Sequence, residues 1–261
     1  MKKKSVSKSP LVDSPLRNPG QWLDEEINRV FDEKISINVL YIVSLIVFDL
    51  FVWIQYLSPS SSNPLVFTLI AIVAIGLFSY RLFKATQLMK RLKLARDGEI
   101  AVGQSLEELR VLGYGVLHDV LGENFNLDHV IFSANGIFVI ETKTFSKPVD
   151  GPAIVSYDGQ DILVNGRPVT RNPIIQAKAA AHWLSKLLEK STGKKYPVRG
   201  VVVFPGWFVE PSPTLKKTGI WVLNPKALPA FIANEPKLLK DDEVHMAIYH
   251  VSRYVRIKSS E

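Results

Sequence analysis

The chain has 261 residues and no cysteine, which excludes disulfides, thiolate nucleophiles and Cys-based zinc sites. That length bounds it to one or two domains. Its net charge of +7 is concentrated: residues 81–96 hold six Lys and Arg and no acid, while residues 97–261 sum to +1. The basic balance marks a charge cluster beside apolar segments, not a nucleic-acid clamp spread over the globular part.

Residues 1–20 are polar, with Lys2, Lys3, Lys4 and Lys8 among serines and prolines, and read as a disordered tail. No apolar core follows the basic start closely enough for a cleaved signal peptide. Residues 21–34 fit a short amphipathic helix carrying Trp22, Ile27, Val30 and Phe31. Ile37–Leu57 and Leu65–Phe83 are then each about as long and apolar as a membrane-spanning helix requires. The uncharged, serine-rich stretch 58–64 joins them, so the pair reads as a helical hairpin. Lys and Arg flank its outer ends and are absent from the turn, which puts both termini in the cytoplasm. Asp49 lies inside the first span. An acid at that depth is costly and points to helix association, within the hairpin or between copies, more than to transport. The segment 81–96 interleaves its cations with Leu82, Phe83, Leu88, Met89, Leu92 and Leu94. That pattern fits a helix touching anionic lipid, with nucleic-acid phosphate as the other candidate.

From Asp97 onward the pattern is soluble α/β. A helix is expected over 99–112, opened by Gly98-Glu99 and closed by Gly113-Tyr114-Gly115. Strands are expected near 115–120, 127–133 and 137–143, with a weaker hairpin at 153–157 and 161–164. A helix over 173–191 has Asn172 as its N-cap and Pro173 at its first position. Val198–Phe204 is a continuous apolar run, the mark of a strand covered on both faces. A short strand at 220–223 and a helix near 241–255 complete the chain.

The chemistry is concentrated in the hairpin 126–143. With Asn135-Gly136 as the two-residue turn, Asp128 faces Lys143 across the strands. Side chains alternate, so Asp128, Glu141 and Lys143 share one face, while His129 points to the other and reads as structural. Two carboxylates are hard oxygen ligands suited to Mg²⁺, and an adjacent ammonium can hold water or offset phosphoryl charge. A cross-strand salt bridge at a sheet edge explains the same three residues without chemistry. Trp207, Phe208 and Trp221 are core residues or a surface for stacking bases.

Several pieces occur in a fixed order: Gly98-Glu99, Gly113-Tyr114, Val116-Leu117-His118-Asp119-Val120, Asp128-His129, Gly136 through Lys143, Asn172-Pro173-Ile174-Ile175-Gln176-Ala177 and Val201-Val202-Val203-Phe204-Pro205. Together they resemble the NERD domain, the nuclease-related domain of the PD-(D/E)xK endonuclease-like superfamily. The resemblance covers about residues 97–223. It implies a restriction-endonuclease-like α/β core, a mixed sheet flanked by helices, and Mg²⁺- or Mn²⁺-dependent nuclease activity on DNA. Carried over, Asp128 and Glu141 become metal ligands, Lys143 the catalytic lysine, Glu99 an accessory acid and Gln176 the helix glutamine.

The expected organisation is a cytoplasmic tail (1–34), a transmembrane hairpin (35–84), a basic juxtamembrane helix (85–96) and a nuclease-like domain (97–261), in a multi-pass inner-membrane protein. Membrane lipids and DNA are the expected partners, with a homo-oligomer through the hairpin as a further one. The competing reading is a non-catalytic, membrane-tethered nucleic-acid-binding or scaffold protein that keeps the fold.

Overall fold

The computed structural model describes residues 15–57, 63–123, 125–158, 161–210 and 219–259. The chain divides into two compact units. One is Trp22–Arg96; the other joins the segment ending at Gln21 to Asp97–Glu261.

In the first unit, helix α1 (Gln21–Val30) buries Leu23, Ile27 and Val30, spaced to fall on one helical face. It runs through a π-helical turn at Phe31–Ser36 into α2 (Ile37–Tyr56) without a break. The amphipathic helix and the first apolar span, expected as separate elements, are thus one continuous helix. Helix α3 (Leu65–Val111) likewise joins the second apolar span, the basic segment and the expected 99–112 helix in 47 residues. Gly98 therefore lies within a helix and does not open one.

Gln21–Tyr56 and Leu65–Val111 are long and apolar enough to cross a membrane, and only 6% of the most apolar window of each is buried. They contact each other through Tyr41 stacked on Phe78 (4.9 Å between ring centroids) and Phe48 against Phe67 (6.4 Å). Asp49 has its partner inside the hairpin: Thr68 Oγ1 donates to Asp49 Oδ1 at 2.9 Å and accepts from Trp53 Nε1 at 2.8 Å. The serine-rich turn lies, for residues 58–62, outside the described residues.

The second unit is built on a five-stranded mixed sheet. Its strands are β1 (Gly115–Leu121), β2 (Asn126–Ser133), β3 (Gly136–Thr142), β7 (Val198–Val203) and β9 (Trp221–Leu223), in the order β1-β2-β3-β7-β9. β1, β2 and β3 pair antiparallel, whereas β7 and β9 run parallel to β3. Val102, Leu106 and Leu109 of α3 pack on Ile131, Phe138, Ile140 and Val201, one face of the sheet, with Leu228 and Ile232 of α5 (Leu228–Ala233). Helices α4 (Pro173–Thr192) and α6 (Asp241–Lys258) cover Val130, Phe132, Ile137 and Val139 on the other. Both faces are therefore apolar, as parallel strands covered by helices require. A smaller sheet, in the order β6-β5-β4-β8, contains β4 (Ile154–Tyr157), β5 (Ile162–Val164), β6 (Arg167–Pro168) and β8 (Phe208–Val209).

The crossover from β3 to β7 positions the functional end of the sheet. Asn172 caps α4, its Oδ1 accepting from the Ile174 N–H at 2.9 Å, and Pro173 occupies the first turn. Ile174 packs with Val202 and Phe204, and further along the helix Ala177 lies against Gly200. A Cβ at Gly200 would stand 2.5 Å from the Ala177 carbonyl oxygen, so glycine permits this close helix–sheet approach. The N-terminus of α4 thus lies over the C-terminal end of β7, and so, through the parallel pairing, of β3.

The tail expectation needs correction for residues 15–20. Residues 1–14 lie outside the described residues, but Arg17 is only 8% exposed and belongs with the second unit.

Candidate active site

The hairpin of β2 and β3 closes two residues away from the expected register. Ser133 pairs with Gly136, Phe132 with Ile137 and His129 with Ile140, so the loop residues are Ala134 and Asn135. Gly136, at φ +134°, opens β3 instead of forming the turn. Ser133 Oγ accepts from the Asn135 N–H (3.2 Å) and donates to the Gly136 carbonyl (3.0 Å), fastening the displaced loop. A shift of two residues preserves parity, so Asp128, Glu141 and Lys143 remain on one face. Their pairing changes: extending the register sets Asp128 opposite Glu141, not Lys143.

The ladder ends at this point, and a side chain replaces the main-chain acceptor. The Thr142 N–H donates to Asp128 Oδ2 at 2.6 Å. On the other side of β3, the Lys143 N–H donates to the Val203 carbonyl at 2.9 Å. Lys143 Nζ lies 2.6 Å from Glu141 Oε1, with both side chains mostly shielded.

Glu99 reaches the same region from α3. The approach depends on Gly98, where a Cβ would stand 1.7 Å from Thr144 Oγ1. Glu99 is 7% exposed and its Oε2 has no hydrogen-bond partner. Burial first, then the carboxylates of Asp119 and Glu141, push its carboxyl up to about 8, with Lys143 opposing. Burial, followed by Glu141 and Glu99, drives Asp128 well above the usual carboxylate range against the Thr142 N–H. Glu99 and Asp128 are thus both raised chiefly by burial, and both lie within the field of Glu141. Gln176, at the start of α4, has its Oε1 buried and without a partner.

Asp119, which stands in the ordered motif set without an assigned role, adds a third acid to this end of the sheet. It lies opposite Asp128 in the β1–β2 register, between the pairs His118–His129 and Val120–Leu127, with a left-handed φ of +50°. It is fully buried; Arg17 Nε donates to its Oδ2 at 2.6 Å and Asn126 Nδ2 to its Oδ1 at 2.7 Å. Asp119, Asp128 and Glu141 thus form a row across three strands. An acid inside the apolar run of β1 was a readable signal for Asp119. Nothing local marks Arg17.

His129 faces away from this row, toward α3 near Gly103, and its Nδ1 meets His118 Nδ1 at 2.8 Å. Glu107 holds the other nitrogen of His118 at 2.8 Å. Burial holds both imidazoles below the usual range. Trp207 and Trp221 are core residues, whereas Phe208 is exposed.

Among the described residues no three His, Asp or Glu side chains are gathered closely enough to hold a metal as they stand. Mg²⁺ does not need three: it retains waters and binds through one or two carboxylates and substrate phosphate. The hard oxygens of Asp128 and Glu141, with the unpartnered Glu99 Oε2 nearby, fit that ion.

No curated protein and no solved structure matches the chain. Residues 94–205 match the nuclease-related domain family, NERD. The matched stretch takes in the Glu99 end of α3, strands β1 to β3, helix α4 and strand β7.

Proposed function

We propose that this protein is a membrane-anchored, divalent-metal-dependent nuclease that hydrolyses phosphodiester bonds in DNA. The observation that carries the reading is the placement of Asp128 opposite Glu141, with Lys143 Nζ 2.6 Å from Glu141 and the buried Glu99 carboxyl raised by burial and by Glu141, at the end of a buried strand within the stretch that matches the NERD family. Carboxylates are buried together at a cost of several kcal/mol each unless a cation or a proton compensates them.

In this mechanism Asp128 and Glu141 would hold Mg²⁺ or Mn²⁺, which would supply Lewis-acid polarisation of the phosphoryl group and an acidified water. Asp128 is oriented by the Thr142 N–H, which fixes one carboxylate oxygen and leaves the other for coordination. Lys143, now paired with Glu141, offsets the charge that develops on the phosphoryl group. Glu99 carries a proton at neutral pH and can release it as the cluster gains positive charge. Gln176 orients the attacking water or a substrate phosphate.

The two apolar helices support an inner-membrane location with both termini cytoplasmic, the nuclease unit lying on the cytoplasmic side. The full-length protein in detergent, given supercoiled plasmid and Mn²⁺ or Mg²⁺, tests the reaction. Cleavage that requires the metal and stops with EDTA is expected; no cleavage with either ion favours the scaffold reading.

A further inference from the structure

Just beyond Lys143 the chain leaves the large sheet and borders a cavity of about 550 Å³. Phe145 and Lys147 line it from the segment after β3; Asn165, Arg167 and Thr170 line it from the β5–β6 hairpin and its exit, and Trp207 from the turn after β7. No described lining residue is acidic. Lys147 and Arg167 are exposed, and neither has an ion-pair partner among the described residues.

The aromatic part of the wall is fixed. Phe145 is half-buried and stacks on Phe204, 6.1 Å between centroids at 16°. Trp207 meets its edge at 6.4 Å and donates Nε1–H to the Phe145 carbonyl at 3.3 Å. The turn at Asn165 and Gly166, with φ of +46° and +75°, presents Arg167, and Asn165 Oδ1 accepts from the Ile154 N–H at 2.9 Å. Lys147 extends over Gly206, where a Cβ would stand 3.3 Å from its Nζ.

A half-buried Phe145 ring, held in place by Phe204 and the buried Trp207, beside two cations without an ion-pair partner among the described residues suits a flat ring that carries phosphate. The volume falls in the range of small-ligand sites, about 300–1,000 Å³, and cannot admit a stacked, paired duplex. Phe145 is two residues past Lys143, at most about 7 Å along the chain, so an occupant lies beside the candidate centre. We infer that this cavity holds one unpaired nucleotide of the strand whose phosphate lies at Asp128, Glu141 and Lys143. The protein then engages single-stranded or locally opened nucleic acid in preference to intact duplex. This rests on the nuclease reading for the placement of the scissile phosphate, but not for the binding itself.

The test is fluorescence anisotropy of the full-length protein in detergent with EDTA, using a labelled single-stranded oligonucleotide and the same strand in a duplex, over a salt series. The single strand is expected to bind at least about tenfold more tightly, consistent with stacking contributions per base. Lys147→Gln with Arg167→Gln alters only exposed side chains and should reduce the salt slope by about 1.4, that is about 0.7 per lost phosphate contact on a single strand. Phe145→Leu should weaken binding by about 5- to 100-fold. An unchanged slope in the double variant overturns the inference, as does equal or tighter binding of duplex. An equal loss of binding to phosphatidylglycerol vesicles assigns the two cations to the membrane and also overturns it. If these binding changes occur but no Mn²⁺-dependent cleavage is found, the nuclease reading fails and the nucleotide site stands. If cleavage occurs with the salt slope unchanged, the reverse holds.

Discussion

Replacing Glu99 with glutamine keeps the side chain's size and removes its titration. In the wild-type protein its carboxyl is raised from 4.5 to about 8, chiefly by burial. The folded state therefore binds this proton more tightly than the unfolded chain does. That contribution is full below about pH 4.5, declines as pH rises and is lost above about pH 8. At 1.36 kcal/mol per unit, the decline amounts to about 4–5 kcal/mol for this one group. Asp128, also raised, adds to it in the same direction. For a domain of this size the Glu99 share corresponds to a fall in melting temperature of about 10–20 °C. Thermal melts of the full chain in detergent with EDTA, followed by tryptophan fluorescence over about pH 5–9, read this directly. Glu99→Gln should flatten the decline, leaving the part due to Asp128. Added Mn²⁺ should restore wild-type stability at the alkaline end by replacing the proton. Superimposable pH profiles for the two proteins would refute the reasoning.

Three further outcomes follow from single contacts. Gly98→Ala places a Cβ on Thr144 Oγ1 and should cost about 1–3 kcal/mol in thermal unfolding, partly recovered by adding Thr144→Ala. Arg17→Gln takes the guanidinium from the fully buried Asp119, which keeps its hydrogen bond from Asn126, and should cost about 3–5 kcal/mol. Adding Asp119→Asn should return a measurable part of that loss in a double-mutant cycle. Thr68→Val removes the hydroxyl that donates to Asp49 and should weaken the hairpin by about 0.6–2 kcal/mol, seen as earlier unfolding in a denaturing-detergent titration.

The strands and helices with strong local signals were legible from the sequence. The cap at Asn172, the proline at 173 and the apolar run of β7 each state their structure within a few residues. The facing of Asp128, Glu141 and Lys143 was legible too, because it depends only on the parity of the pairing. The register itself was not, since Ser133 fastens a loop one residue earlier than the Asn-Gly signal suggests. Gly98 was misread as a helix start because a glycine kept for close packing looks locally like one kept for a turn. Arg17 and Asp119 meet across 102 positions, and no local pattern encodes a buried ion pair of that separation. For the same reason residues 15–20 passed for part of a disordered tail.

The most direct test of the central claim is plasmid cleavage in Mn²⁺ by the full-length protein and by Lys143→Ala, with Mn²⁺ binding measured in parallel by calorimetry. The account predicts that Lys143→Ala keeps its fold and its Mn²⁺ binding while cleavage falls by about 100-fold or more, the scale of losing one charge-stabilising group. Cleavage by Lys143→Ala at the wild-type rate would contradict it and move the chemistry away from the end of β3.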